Sequence, residues 1–138
     1  MLRLALPKEP RWEPMAFGVE FLVKPATTAL ITTARLRARR QMEDLRRAAA
    51  EAREAGLPLE GPDVSDPDVA GGHAFALTVM ALGRELVMDW RGVVTDAGAP
   101  APFSTALLPQ VLAQPDIADR FFAVVSAGPA EITAEGNA

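Results

Sequence analysis

The spacing of apolar residues changes along the N-terminal third of the chain, and the first pattern is that of a strand. From Phe17 to Val23 every second residue is apolar, which is the two-residue period of a strand with one buried face. Pro25 ends this predicted strand, because proline cannot continue a ladder of hydrogen bonds. Residues 1–25 are therefore predicted to be a strand region, formed by one short strand or by a hairpin.

A spacing of three and four residues replaces the alternation between Thr27 and Ala55, which is typical of an amphipathic helix. Thr27 is suited to cap the N-terminus of this helix, and Gly56 to follow its C-terminus. A helix of this length spans roughly 44 Å, and alanine buries little area, so the helix needs a partner along its apolar side. That side is a narrow stripe: Ile31, Ala34, Ala38, Met42, Leu45, Ala49 and Ala52.

A second helix is predicted to start with Asp66 as its cap and Pro67 as its first residue, because proline at that position lacks only an N–H that would be unpaired anyway. The helix would run toward Trp90. Its apolar face is wide, which indicates the central helix of the core. That face is formed by Phe75, Val79, Leu82, Leu86 and Trp90.

The segment from Asp89 to Ser104 reads as a corner between this helix and the C-terminal part of the chain. Gly92 and Gly98 provide bends that other residues adopt with strain. We expect Trp90 and Phe103 to pack together at the base of the turn. Trp90, Gly92, Gly98 and Phe103 would then form a structural corner that docks the C-terminal helices on the central helix.

Two further helices are predicted after the corner. Ser104 is the expected cap of the third helix, in which Pro109 forces a kink or a restart. The fourth helix starts at Pro115 and is predicted to end at Gly128-Pro129. The predicted fold is thus mainly α with a small β element (α+β), a single domain over residues 1–128 with about four helices, and a loose tail over residues 129–138.

Composition and charge exclude several classes of function. The chain of 138 residues has no cysteine, a net charge of −4 and a pI near 5.0. Disulfides and thiolate sites are impossible, and an acidic protein repels the nucleic-acid backbone. Because no apolar stretch approaches the ~20 residues that cross a bilayer, and the N-terminal apolar stretch is too short for a signal peptide, we expect a cytoplasmic protein that binds neither nucleic acid nor membranes.

The sequence contains no recognisable catalytic, metal-binding or cofactor-binding pattern. His73 is the only histidine and has no second ligand at a metal-binding spacing, so a capping or packing role is expected. Asp63, Asp66 and Asp68 lack the distal glutamate of a calcium loop and suit turns and caps. No nucleophile motif or phosphate-binding loop is present. We therefore predict that the protein is not an enzyme and uses no cofactor or metal.

A basic cluster in the first helix is the remaining charged feature. It lacks interleaved aromatic residues and is followed by acidic residues, which favours a solvated helix face or a protein-contact patch over RNA binding. The cluster consists of Arg35, Arg37, Arg39 and Arg40.

Four segments in this order resemble the tail assembly chaperones of tailed phages and prophages. They are Arg11-Trp12, "GVEFLVKPATTAL" at Gly18–Leu30, "DWRGVVTDAGAPAPFS" at Asp89–Ser104 and "LLPQVLAQPDIADRFF" at Leu107–Phe122. The resemblance implies a non-enzymatic, α-rich assembly factor that binds the tape-measure protein, and as a further client tail-tube subunits, until the tail polymerises. The alternative is a structural virion component, such as a tail or head-to-tail connector subunit.

The long first helix allows two arrangements. In one, its outer half projects and contacts a client helix or a second copy of the protein. The contacting residues would be Met42, Leu45, Arg46, Ala49, Ala52 and Arg53, with the two arginines selecting acidic partners. In the other arrangement the apolar stripe lies on the central helix of the same chain. Both arrangements fit the sequence.

Overall fold

Four helices and three short strands form the part of the chain that the computed structural model describes, which is the backbone of residues 9–137 and the side chains of residues 9–126. This confirms the predicted fold class. The elements are, in chain order, β1 (Arg11–Pro14), β2 (Glu20–Val23), α1 (Thr28–Glu54), α2 (Pro67–Leu86), β3 (Val87–Arg91), α3 (Leu108–Leu112) and α4 (Pro115–Asn137).

The three strands form an antiparallel sheet in the order β1-β2-β3. β2 lies in the middle, and its Phe21 pairs with Trp90 of β3 and with Glu13 of β1. The Phe21 side chain is fully buried, and its ring meets Phe121 of α4 edge to face at 5.9 Å. Because β2 and β3 are neighbours in the sheet, α1 and α2 form a helical hairpin inserted between two paired strands.

The strand predicted from Phe17 to Val23 begins later, at Glu20, as β2. Phe17 lies in a short 3-10 turn, Ala16–Gly18, where its φ of 61° is in the left-handed region and its side chain is 69% exposed. Its placement in a strand was wrong because the chain reverses there between β1 and β2, and a hydrogen bond from Met15 N to Val19 O closes the reversal. The predicted strand region also includes residues 1–8, which lie outside the described residues.

The predicted boundaries of α1 are confirmed. Thr27 caps the helix, since its Oγ1 accepts a hydrogen bond from Leu30 N at 3.2 Å. Gly56 follows the helix with a positive φ of 68°, a conformation that favours glycine. The stripe is buried in its first half, at Ala34, Ala38 and Met42.

The start of α2 is as predicted, whereas its end is not. Asp66 accepts a hydrogen bond from Asp68 N at 2.9 Å, and Pro67 is the first residue. The helix ends at Leu86, and the next residue begins β3. The helical spacing placed Trp90 on the same face as Leu86, but pairing with β2 puts this residue in a strand instead. The side chain of Trp90 would be buried in either case, in a continued helix or in the strand.

The contact predicted between Trp90 and Phe103 is present. The two rings meet edge to face at 5.0 Å, and Trp90 Nε1 donates a hydrogen bond to the carbonyl of Ala101 at 2.7 Å. Gly92 and Gly98 both have positive φ, 82° and 80°. Because Trp90 belongs to β3, the corner holds the C-terminal segment against the sheet, while α3 and α4 contact the central helix α2 as expected.

Of the two C-terminal helices, only α4 begins where predicted. α3 begins at Leu108 with Leu107 as its N-cap, so the prediction that Ser104 caps it was wrong, and Ser104 instead begins a turn before the helix. Ser104 Oγ accepts a hydrogen bond from Ala106 N at 3.1 Å, and regular helix restarts at Leu108 with Pro109 in its first turn. α4 starts at Pro115 but does not end at Gly128-Pro129, since it continues to Asn137. Alanine and glutamate, both good helix formers, follow Pro129 and favour continuation. Side chains beyond residue 126 are outside the described part, so the loose tail remains a prediction.

One hydrophobic core connects the sheet to the helices. α2 contributes Val79, Leu82 and Leu86, which are at most 1% exposed. A β-carbon on Gly83 would overlap the side chain of Leu112, so this glycine lets α3 approach α2 closely. The sheet, the inner half of α2 and the C-terminal helices thus share this core, and α1 contributes Ala34 to it. The other buried members of the core are Met15, Val19, Phe21, Val23, Val87, Trp90, Leu108, Leu112, Ile117, Ala118, Phe121 and Val125.

From the structure of the corner we expect two similar substitutions to lower the free energy of unfolding by different amounts. Gly92→Ala forces a β-carbon against the carbonyl oxygen of Gly18 at a positive φ, whereas Gly98→Ala has the same φ but open space. The positive φ alone costs about 1 to 2 kcal/mol in either variant. The overlap adds a further ~1 to 3 kcal/mol for Gly92→Ala, because a backbone atom cannot move aside freely. Urea unfolding of both variants measures this difference, and equal losses would show that the corner does not hold the two loops together.

Candidate functional site

The long helix α1 lies along α2, which is the second of the two arrangements that the sequence allows. Near the sheet the two helices are joined by an ion pair between Arg37 Nη1 and Glu85 Oε1 at 2.6 Å. Alanine is the buried residue of α1 at two successive turns, Ala34 and Ala38. Small side chains at these positions let the helix axes approach closely.

A groove lies between the two helices and is lined by residues of both and of their connection. It consists of two depressions of about 470 Å³ each, which share Arg46 and Ala70 and which we call the α1–α2 groove. The first depression is lined by Arg35, Ala38, Arg39, Met42, Glu43, Arg46, Ala70, Gly71, Ala74 and Thr78. The second is lined by Arg46, Ala49, Ala50, Arg53, Val64, Ser65, Pro67 and Ala70.

The predicted partner-binding residues are brought to this groove, but not all of them are accessible. Met42 is only 4% exposed, which fits the arrangement in which the stripe lies on α2 and not the one in which this residue projects. The residues of α2 that line the first depression are Ala70, Gly71, Ala74 and Thr78, and their small side chains let α1 come close enough for the Met42 side chain to be covered.

The outer half of α1 does not project freely either. Leu45, Ala49 and Ala52 are half-buried, whereas Arg46 and Arg53 are exposed. Val64, in the connection between α1 and α2, is 4% exposed and lines the same depression as Ala49. The connection thus supports the end of α1, and the accessible part of the predicted surface is its charged edge.

The basic cluster predicted from the sequence is divided among different surfaces. Arg37 pairs with Glu85, and Arg40 lies outside the groove. Arg35, Arg39 and Arg46 line the groove, and no carboxylate among residues 9–126 lies within salt-bridge distance of them. Glu43 is the one acidic residue among those that line the groove. The edge of the groove formed by α1 is therefore positively charged.

The acidic segment before α2 has the structural role predicted for it. Asp63 accepts hydrogen bonds from the hydroxyl and the backbone N–H of Ser65, and these lower the pKa of the Asp63 carboxyl, with a smaller contribution from Arg53. Asp66 caps α2. No group of three or more histidine, cysteine, aspartate or glutamate side chains able to hold a metal ion occurs within the described part of the chain. His73 is half-buried on α2.

Sequence reasoning missed the contribution of α2 to the groove. Ala70, Ala74 and Thr78 line it at intervals of one helical turn, and Gly71 lies beside them. The four-residue spacing of small side chains was the available signal. It indicated a close helix contact, but not which helix would make it.

Comparison with known proteins gives a family and no closer relative. The family described as YdaY prophage protein matches residues 27–138, which begin at the cap of α1 and contain all four helices. No curated protein and no solved structure gives a significant match to the chain. In addition, none of the helices in the described residues is both long and apolar enough to cross a membrane.

From the burial of the apolar stripe we expect losses of stability of different size for two neighbouring substitutions. Met42→Glu places a carboxylate in a buried position and should lower the free energy of unfolding by at least about 3 kcal/mol. Leu45→Glu affects a half-buried side chain and should cost about 1 kcal/mol. Urea unfolding followed by circular dichroism measures both. Similar losses for the two variants would contradict the observed orientation of α1.

Proposed function

Since the chain belongs to the YdaY prophage protein family, we propose that it is a tail assembly chaperone. It acts without catalysis in the cytoplasm of the bacterial host. Its client is the tape-measure protein, as the resemblance to tail assembly chaperones implies, with tail-tube subunits as a further client. The observation that carries the proposal is the α1–α2 groove, an accessible helical surface with an apolar floor and a charged edge.

A groove between two helices suits a helical client. Amphipathic helices bind grooves of this kind by inserting their apolar face, with charged edges setting the orientation. A long, helix-rich client exposes such faces before it is assembled, and exposed apolar surface promotes aggregation. Covering these faces one segment at a time would keep the client soluble, and the net charge of −4 of each bound copy would favour solubility.

The polar chemistry of the described residues also supports a binding role. Asp63 and Asp66 hold turn and cap hydrogen bonds at the start of α2. The charged side chains that remain accessible at the groove are mainly arginines, which are common in protein interfaces because they form bidentate hydrogen bonds with carboxylates. A protein contact accounts for this surface without a reaction.

The proposal predicts complex formation during assembly and absence from the finished particle. Co-expression with the tape-measure protein of the same prophage should give a complex that co-purifies and keeps the client in the soluble fraction. Mass spectrometry of purified particles should find the chain absent or far below one copy per tail. A fixed copy number in mature particles would instead establish a structural virion component, and failure to form any complex would remove the chaperone role.

A further inference from the structure

We infer that the α1–α2 groove binds a single acidic amphipathic helix, whose carboxylates pair with the arginines along α1. This inference rests on the proposed function and specifies the chemistry of the client segment. It depends on three features of the groove: the spacing of its arginines, the size of its floor residues and its charge.

The arginines have the spacing of a helix-binding edge. Arg39, Arg46 and Arg53 are seven residues apart, and all three line the groove. Seven residues correspond to nearly two helical turns, or about 10.5 Å, so the three side chains follow one edge of α1. In helix pairs, charged residues that repeat every seven positions flank the contact and select the partner. With Arg35, the edge extends over roughly 27 Å, which matches a client helix of about 18 residues.

The floor of the groove allows a third helix to approach closely. Ala38, Ala49, Ala70, Gly71 and Ala74 line it with no side chain larger than a methyl group, and Met42, the larger residue among them, is only 4% exposed. Helix axes come nearest where such small residues face each other or receive a larger side chain from the partner. A client helix with medium-sized apolar residues on one face would therefore fill the groove and make a three-helix contact with α1 and α2.

The charge at the groove favours an acidic partner. Arg35, Arg39 and Arg46 form no salt bridge with any side chain of residues 9–126, and Glu43 is the single acidic residue facing them from the lining. Arg53, at the outer end of the edge, is the smallest of the influences that lower the pKa of the Asp63 carboxyl. Acidic residues on a client helix would find three accessible cations along one edge.

A helix fits this groove better than a nucleic acid does. Single-stranded nucleic acids bind to basic grooves through aromatic side chains on which the bases stack, and no aromatic residue is among those that line the α1–α2 groove. The chain also carries a net charge of −4, which opposes a polyanion over longer distances. The short positive edge with an apolar floor is complementary to an amphipathic helix.

Two adjacent glycines provide a blocking variant and its matched control. Gly71 and Gly72 are both exposed in α2, and a β-carbon on either meets no atom within 4 Å, but only Gly71 lines the groove. Gly71→Leu should fill the groove and reduce co-purification of the tape-measure protein at least about tenfold, whereas Gly72→Leu should leave it unchanged. Both changes favour the helix, so unfolding would not explain a loss.

A second pair of variants tests the charge. Arg39→Glu combined with Arg46→Glu reverses the groove edge, whereas Arg40→Glu combined with Arg47→Glu makes the same change in net charge on α1 away from the groove. The probes are two synthetic 21-residue helices with alanine and leucine on one face, flanked by glutamate in one peptide and by lysine in the other. Fluorescence anisotropy should show binding of the glutamate peptide, and binding at least about tenfold weaker for the lysine peptide and for the groove-edge variant.

The outcomes separate this inference from the proposed function. If the tape-measure protein co-purifies equally with both glycine variants and both arginine variants, the groove is not its site although the chaperone role stands. If the tape-measure protein never co-purifies while the glutamate peptide binds, the chaperone role falls and the groove chemistry stands. Failure of the unaltered protein to bind the glutamate peptide, displacement of that peptide by oligonucleotides, or dimerisation abolished by Gly71→Leu would each overturn the acidic-helix assignment.

Discussion

The direct passage from α2 into β3 is the constraint on which the rest of the structure depends. Leu86 ends the helix and Val87 begins the strand. The junction is held by hydrogen bonds from Val87 N to Gly83 O and from Lys24 N to Leu86 O at 2.8 Å. Because no flexible turn separates the two elements, the pairing of β3 with β2 fixes the direction of α2. α1 starts shortly after β2, so it leaves the sheet beside the end of α2 and runs alongside that helix.

This arrangement gives the two halves of α2 different tasks. The half next to the sheet carries Val79, Leu82 and Leu86, which fill the core. The outer half presents Ala70, Gly71 and Ala74 to the groove, where they contribute little apolar area but leave room for another helix. Large residues in one half thus secure the fold, and small residues in the other half leave an accessible surface beside α1.

Local signals in the sequence were sufficient for most helix starts. Thr27, Asp66-Pro67 and Pro115 mark boundaries through hydrogen bonds or backbone angles that depend only on neighbouring residues. The errors at Phe17 and Trp90 have different origins. Phe17 lies in a local reversal of the chain between β1 and β2, whereas the backbone at Trp90 is decided by pairing with β2, far away in the chain. The contact of Trp90 with Phe103 could be predicted nevertheless, because Trp90 is buried whether it continues α2 or belongs to β3.

The candidate site was predictable only in part, for the same reason. The charged edge, including Arg46 and Arg53, follows from the spacing along α1 alone. The burial of Met42 and the contribution of Ala70 and Gly71 require knowing that α1 lies on the outer half of α2. Sequence patterns identify the faces of single helices, whereas a groove belongs to a pair of helices.

Site-specific crosslinking tests the central claim, that the α1–α2 groove holds the client, most directly. The chain contains no cysteine, so a single photoreactive label can be attached at a chosen position. Ala48 and Ala50 are both exposed on α1, but only Ala50 lines the groove. A benzophenone on Ala50→Cys should crosslink to a helical segment of the tape-measure protein, while the same label on Ala48→Cys should not. Equal crosslinking from the two positions, or crosslinking from Ala48→Cys alone, would contradict the account.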